Sequence, residues 1–517
     1  MASQAASQRA SGQRASGTPA QTPRTRLPVS SAEVFAGLDR ERVIALEERH
    51  GNGDLIRLLE ILGIGGPFKV LNPWELEDET GRHLVNAGGY AALPFGEGYP
   101  PLLRFVERFL SESRSMGFPQ QSASDWRAAL ETNLVSLLAA VAPSHEDSQV
   151  FFSNSGAEAV EAALKFAKAA RPRAEYIITF SRGYHGKTFG ALSVTPNEEF
   201  QSSFALLPGI VTLPYGDSQA LRDKLRALGP ARVAAIILEP LQGEAGVIVP
   251  PADFLPALEA IRQAHGIVVI ADEIQTGLGR SGHWFASVAS GLDPDIITLA
   301  KPLGGGVVPI GATIARKWVG KRLLGGVYFK RHSNTFGGGS LAMAVGLKSL
   351  ELIVEEDLVE RARALGERGR AVLKALQASY PDYIQDARVA GMLLALQLRP
   401  LLPTHPAFEQ ALIRAYNLAM QPVLASRALP VPSTIISQLV GGLAVRSLHQ
   451  AGIHACYSQN ASRTVRLTPA LNMPEATFEE MLRRAERAVA AFGHTSKLLS
   501  RSPTKAVSEL VRMALLG

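Results

Sequence analysis

From about residue 130 to 350 the chain alternates two textures. Short stretches with no helical periodicity read as strands: Gln149–Ser153, Tyr176–Phe180, Val211–Leu213, Val233–Leu238, Ile267–Ala271 and Ile296–Leu299. Between them apolar residues recur three and four positions apart. Glu131–Val141 reads as a helix with Leu134, Leu137, Leu138 and Val141 on one face. Ala157–Ala170 reads as another, with Val160, Ala163, Leu164 and Ala167 on its apolar face. Ser218–Ala227 and Pro251–His265 complete the set. Strand–helix alternation of this length predicts an α/β fold with a mostly parallel sheet. Sheets of that kind bind ligands in the loops beyond the carboxyl ends of their strands.

After residue 350 the texture changes. Long helices at Leu350–Gln377, Phe408–Tyr416 and Glu475–Ala491 flank short strands at Met392–Leu398 and Val465–Thr468, a smaller α+β unit. Pro400–Ser433 is proline-rich and reads as a loop insertion, and 498–517 as an amphipathic tail helix. The domain expectation is a disordered tail over 1–30, an N-terminal segment of the small domain over 31–114, and a large domain over 115–350. The small domain resumes over 351–497 and a tail follows over 498–517.

With 517 residues, 46% of them hydrophobic, the chain can bury a large core. Its longest apolar runs are far too short for a membrane span, so no membrane partner is expected. The single cysteine, Cys456, allows neither an internal disulfide nor a cysteine-based metal site. That suits a reducing, cytoplasmic compartment, and no metal is expected. The net charge of +6 does not imply nucleic-acid binding. Arg9, Arg14, Arg24 and Arg26 lie in an acid-free tail with a near-repeat at Gln8–Gly17, and the remaining body is close to balanced. The tail has no aromatic residue and reads as a disordered extension.

Four places carry candidate chemistry, each at or just after the end of a predicted strand. Ser153–Ala159 joins a strand to a strong helix through small residues. It reads as a phosphate cradle on a helix N-terminus or as an ordinary turn. Asp272 closes the strand begun at Ile267; an acid there needs a cation, such as a pyridinium N–H, or else caps a helix. Lys301 follows an apolar strand and precedes Gly304, Gly305 and Gly306. Desolvated, it becomes an amine nucleophile; otherwise it is a surface lysine at a loop start. Glu239 and Glu244 follow a fourth strand, as ligand-facing carboxylates or as a solvated acidic loop. The run Gly277–Gly282 matches a dinucleotide fingerprint only in spelling, because its glycines do not join strand to helix directly.

Read together, FFSNSGAEAVEAALKFAK, GYHGKT, ILEPLQGEAGV, VVIADEIQTGLGRSG, DIITLAKPLGGGVVPIGA and HSNTFGG resemble the class III aminotransferases of the ornithine, acetylornithine, putrescine and 4-aminobutyrate type. The motifs run in order from about residue 65 to 495, with GMLLALQL and VRLTPAL extending the match toward the C-terminus. The wording GVVPIGATIA and GKTFGALSVT is nearest the putrescine and ornithine branches.

The resemblance implies pyridoxal 5'-phosphate fold-type I, with a seven-stranded-type sheet and a small domain built from both chain ends. It also implies a homodimer with a shared active site. Lys301 would carry the cofactor as a Schiff base and then shuttle a proton. Asp272 would pair with the pyridine nitrogen. Tyr184 and Ile274 would cover the two ring faces, with Gln275 near the ring hydroxyl. Ser155, Gly156 and Ala157 would hold the phosphate, joined by Thr335 of the partner subunit. His185 and Glu239 complete the implied cofactor set. Arg466 matches the arginine that grips an α-carboxylate, for which a planar fork is suited. Glu244 matches the acid that neutralises it when no α-carboxylate is bound.

Three motifs depart from the family pattern: GHxHP reads Gly96–Pro100, TFGGN ends in Gly339, and RGxGL reads Arg388–Met392. The expected activity is transfer of the terminal amino group of a diamine or basic or ω-amino acid to 2-oxoglutarate. A racemase or aminomutase on the same scaffold is the alternative, and a non-catalytic scaffold a third reading.

Overall fold

The computed structural model describes residues 27–400 and 432–501. Residues up to Gly53 form a unit of their own. It comprises helices Ser31–Ala36 and Arg40–His50, capped by Ser30 and Asp39.

From Asp54 onward the chain is organised around three sheets. The largest holds β4 (Gln149–Ser153), β5 (Tyr176–Phe180), β6 (Ile210–Leu213), β7 (Val233–Leu238), β8 (Val268–Asp272), β9 (Ile296–Leu299) and β10 (Gly311–Ala315). Its order is β4-β10-β9-β8-β7-β5-β6. Only β10 runs against its neighbours, so every other strand points its carboxyl end to one edge. This is the mixed α/β fold with a mostly parallel sheet that the alternation predicts, and its seven strands are the number the resemblance implies. β10 went unread because Gly-Ala-Thr-Ile-Ala has neither alternation nor a large side chain; it is buried on both faces.

A second sheet joins the two ends of the chain. β1 (Lys69–Asn72), β2 (Glu75–Glu77) and β3 (His83–Asn86) are antiparallel, and β3 pairs in parallel with β13 (Ile453–His454). The third is an antiparallel sheet in the order β11 (Ile384–Ala390), β12 (Leu393–Leu398), β15 (Ala461–Leu467) and β14 (Cys456–Ser458). Its register sets Arg466 opposite both Ala395 and Cys456.

Helix Gly156–Ala170 buries Val160, Ala163, Leu164 and Ala167 against the large sheet, the face its periodicity predicts. Helix Asp125–Ala139 buries Leu130, Leu134 and Leu138; it starts six residues before the Glu131 read from the sequence, and Val141 lies past its end and is exposed. The expected helix Leu350–Gln377 is two helices, Ser340–Glu355 and Leu358–Ser379. The break falls at an acidic run, where Asp357 takes a left-handed φ of 48° that aspartate tolerates better than most residues. The Glu475 helix runs on to Arg501, past the boundary read at Ala491. The N-terminal extension through residue 26, the 408–416 helix, most of the 400–433 insertion and the 502–517 tail lie outside the described residues. Among the described residues no helix is long and apolar enough to cross a membrane.

Candidate active site

The loops beyond the carboxyl ends of β4, β5, β7, β8 and β9 close around a cavity of about 570 Å³. Ser155, Gly156, Ala157, Tyr184, His185, Glu239, Glu244, Asp272, Ile274, Gln275 and Lys301 all line it. Positions scattered over 147 residues of sequence thus meet because parallel strands end together. Two of the expected residues stand elsewhere. Thr335 is exposed and outside the cavity, its carbonyl accepting from Gln120 Nε2 at 3.0 Å. Arg466 lies behind Glu244 and Gln275, which face the cavity in front of it.

At one end Ser155 caps helix Gly156–Ala170, its hydroxyl accepting from Glu158 N–H. The Gly156 and Ala157 amides come ahead of the first intrahelical bond, at the positive end of a 15-residue helix. A Cβ on Gly156 would stand 2.8 Å from Ile274 Cδ1, so glycine is what keeps this cradle open beside the isoleucine.

Asp272 is buried at the end of β8. Its Oδ1 accepts from Thr298 Oγ1 and Ile274 N–H, both at 3.1 Å, and its Oδ2 from His185 Nδ1 at 2.7 Å. Three donors hold the carboxylate in place for a further cation from the cavity. Glu239 lies alongside. Its Oε1 accepts from Tyr184 N–H at 2.9 Å and its Oε2 from Gly243 N–H at 3.1 Å, tying two loops together. Burial, reinforced by the charge of Asp272, pushes its carboxyl up to about 7.

Lys301 opens a short 3-10 turn directly after β9. Burial pulls its ammonium below the ordinary lysine value, against the opposing pull of Glu244 and Asp272. Such a lysine spends more of its time as the free amine. On the far side Arg466 Nη2 lies 2.8 Å from Glu244 Oε1, and Nη1 donates to Gln275 Oε1 at 3.3 Å. Burial raises the Glu244 carboxyl, but Arg466 and Lys301 outweigh it and leave it below its usual range. Gln459 N–H donates to Glu244 Oε2 at 3.2 Å. The guanidinium is fully buried, with Nη2 held by the Glu244 carboxylate and Nη1 by Gln275. Its planar fork suits a carboxylate in two-point contact.

The sequence reading missed several cavity neighbours. Tyr90, at φ 52°, presents its ring 6.0 Å from the Arg466 guanidinium. Lys187 lines the cavity with its Nζ 3.8 Å above the Phe200 ring. The run Gly277–Gly282 lies outside the cavity lining and wraps Arg280, whose Nη1 donates to the carbonyls of Met392 and Pro469. Its Gly-Leu-Gly pattern serves packing, and burial lowers Arg280 to about 9.

A cradle of helix amides, a fixed carboxylate, a desolvated lysine and an aromatic wall fit a phosphorylated pyridine aldehyde. The comparisons with known proteins agree. The family model described as "Aminotransferase class-III" matches residues 73–489. The putrescine aminotransferase of Pectobacterium atrosepticum is 38% identical over 380 residues, 71% of this chain and 79% of that protein. An amine transaminase from an uncultivated Pseudomonas species, solved with pyridoxal phosphate bound, superposes with a TM-score of 0.68 at 26% identity. It covers 82% of this chain and 94% of its own. The ornithine aminotransferase of Toxoplasma gondii shares the fold, with a TM-score of 0.72 at 23% identity over 90% of this chain and 99% of its own.

Proposed function

The chain belongs to the class III aminotransferases, which use pyridoxal 5'-phosphate, and on that premise we propose that it moves the terminal amino group of a small diamine or basic amino acid to 2-oxoglutarate. The observation that carries this reading is the buried Arg466–Glu244 pair at 2.8 Å behind the cavity wall. With the pair closed, the charge of Arg466 is neutralised toward a carboxylate-free amine. With Glu244 displaced, Arg466 presents the side of its guanidinium that Glu244 held to an α-carboxylate. One pocket then serves both half-reactions.

Bound pyridoxal phosphate would supply a carbonyl that condenses with the amine and a ring that draws electrons from the substrate carbon. Lys301 would hold the cofactor through its Nζ, then carry a proton on that atom between substrate carbon and cofactor. Asp272, fixed by His185 and Thr298, would keep a proton on the ring nitrogen. Tyr184 and Ile274 would enclose the ring, with Gln275 beside its hydroxyl. Ser155, Gly156 and Ala157 would take the phosphate on N–H groups.

The exposed Thr335 supports a homodimer in which Thr335 of the partner subunit completes the phosphate site. Phe118 and Phe336, exposed and packed edge to face at 5.1 Å, offer apolar surface beside it. The single cysteine supports a cytoplasmic location. We propose a large cofactor-binding domain at 115–350 and a small domain built from 54–114 with 351–497, the part of the expected 31–114 segment up to Gly53 standing as a unit of its own.

The reading is tested by the visible spectrum of the purified holoenzyme as single amines are added without an acceptor. Ornithine, N-acetylornithine, putrescine, lysine, 4-aminobutyrate and glutamate form the panel. A terminal amine that discharges the band, with recovery on adding 2-oxoglutarate, names the donor. A band that no amine discharges sinks the proposal, and racemisation without any keto acid would replace it with the racemase reading.

The depressed Lys301 ammonium gives a separate expectation. Its amine is free above its own pKa, so covalent capture of the cofactor by apoenzyme should speed up with rising pH. The midpoint should lie below the 10.5 of an ordinary lysine. Stopped-flow capture rates from pH 6 to 11 check it; a midpoint at or above the ordinary value contradicts a desolvated nucleophile.

A further inference from the structure

The short turn between β14 and β15 holds the busiest polar residue near the cavity. Asn460 uses its backbone N–H on the Glu244 carbonyl at 3.1 Å. Its Nδ2 donates to the carbonyls of Arg182 at 3.0 Å and Gly183 at 3.1 Å, directly before Tyr184. Its Oδ1 accepts from Asn197 Nδ2 at 2.8 Å. One residue therefore joins three loops of the seven-stranded sheet to a hairpin of the four-stranded one. That hairpin runs on into β15 and delivers Arg466 six residues later. The residue before it, Gln459, gives its N–H to Glu244 Oε2.

Glu244 is thus shared between Arg466 and the Gln275 side-chain amide on one oxygen and the turn on the other. An incoming α-carboxylate must take Arg466 from it. A buried carboxylate stripped of its cation is costly unless another donor receives it. The Gln459 N–H is that donor, and it stands in place only while the turn is pinned. Arg182, at φ 61°, lies in the left-handed region that few non-glycine residues adopt, so the carbonyl it aims at Asn460 is set by a restricted backbone.

We propose that Asn460 is a positioning residue that pins the β14–β15 turn so that Glu244 can be handed from Arg466 to the turn, and so ranks amines bearing an α-carboxylate against those without one. The inference rests on the amino-transfer reading of the cavity. Without the pin the turn drifts, Glu244 holds to Arg466, and α-carboxylate substrates suffer selectively. Carboxylate-free amines need no handover and are spared.

The test uses full-length holoenzyme and the two half-reactions followed separately by cofactor absorbance. Wild type, Asn460→Ala, Asn460→Asp and Asn197→Ala are compared with glutamate and with the donor found in the amine panel. The Asn460→Asp variant keeps the acceptor for Asn197 but loses both bonds donated by the side chain, so it should behave like Asn460→Ala. Asn197→Ala removes one contact outside the turn and guards against a variant that fails to fold. The expected result is a rise of at least tenfold in KM for glutamate, with kcat and the terminal-amine KM within threefold. Binding of glutarate, an unreactive dicarboxylate, measured by calorimetry, should weaken by a similar factor. Asn197→Ala should fall between wild type and Asn460→Ala. Equal loss with both substrates, or no change with either, overturns the proposal. If wild type itself exchanges with neither substrate, the function reading falls and takes this inference with it; if wild type exchanges with both and Asn460→Ala matches it, only the inference falls.

Discussion

Replacing Lys301 with alanine is expected to leave a folded protein with no covalently held cofactor and a transfer rate at least about 10⁴-fold lower, the upper end of what a single proton-transferring side chain contributes. Two roles are lost at one atom, covalent capture and proton transfer. Lys301 stands directly after β9, at the sheet edge where Asp272, Glu239 and Glu244 also converge. Among the described residues no salt bridge ties its Nζ to a partner, so alanine leaves no broken ion pair behind. The residue also keeps part of its surface open to the cavity, so the truncation widens the existing cavity wall rather than leaving a new hole in the core. Thermal unfolding should therefore shift by no more than a few degrees while the visible band disappears. A Lys301→Ala enzyme that keeps both the band and more than a hundredth of the rate would mean that another amine carries the chemistry; Lys187, the other lysine on the cavity wall, would be next to examine.

The parts of this site that were legible in the sequence share a physical reason. Ser155, Asp272, Lys301, Glu239 and Glu244 each stand at or after the end of an apolar run. In a parallel sheet those ends meet, so position along the strand already implies position in space. Arg466 had no such marker. It lies within β15, and its place behind Glu244 depends on the pairing of β15 with β12 and β14, the first of these more than sixty residues away in the chain. Family resemblance pointed to it; local pattern could not. Asn460 and Tyr90 were invisible for another reason. One works through side-chain bonds to carbonyls nearly 280 residues away, the other through a left-handed turn next to Gly89. Only turn-forming composition marks them locally. In the fold, β10 lacked alternation, and the helix break at Asp357 interrupts an apolar period that continues on both sides.

The Arg466–Glu244 pair gives the second large effect, and its signature is a crossing of substrate preference. Arg466→Ala removes the cation that the structure sets behind the Glu244 and Gln275 side of the cavity. For glutamate or 2-oxoglutarate this deletes a charge-assisted contact worth about 2–5 kcal/mol, which corresponds to roughly 30- to 5,000-fold in kcat/KM. A diamine makes no contact with the arginine, so its half-reaction should fall by less than about tenfold, through the disturbed Gln275 and Glu244 alone. Glu244→Gln should do the reverse. The guanidinium keeps Gln275 but loses its counter-charge, so a positive charge now faces the cationic amine. The diamine half-reaction should drop about 30- to 100-fold, about 2–3 kcal/mol, the lower part of what leaving one member of a buried charge pair unmatched costs. Glutamate, whose α-carboxylate now binds without displacing an acid, should hold its rate or improve. Both variants lose stability, because each leaves a buried group without its opposite charge, and Arg466→Ala should lose more since the residue is fully buried. Absolute rates are therefore less telling than the ratio of the two half-reactions in one preparation. Opposite movement of that ratio in the two variants is what a charge-neutralising switch requires. Parallel movement would reduce the pair to a structural ion pair, and the dual-substrate reading of the pocket would go with it.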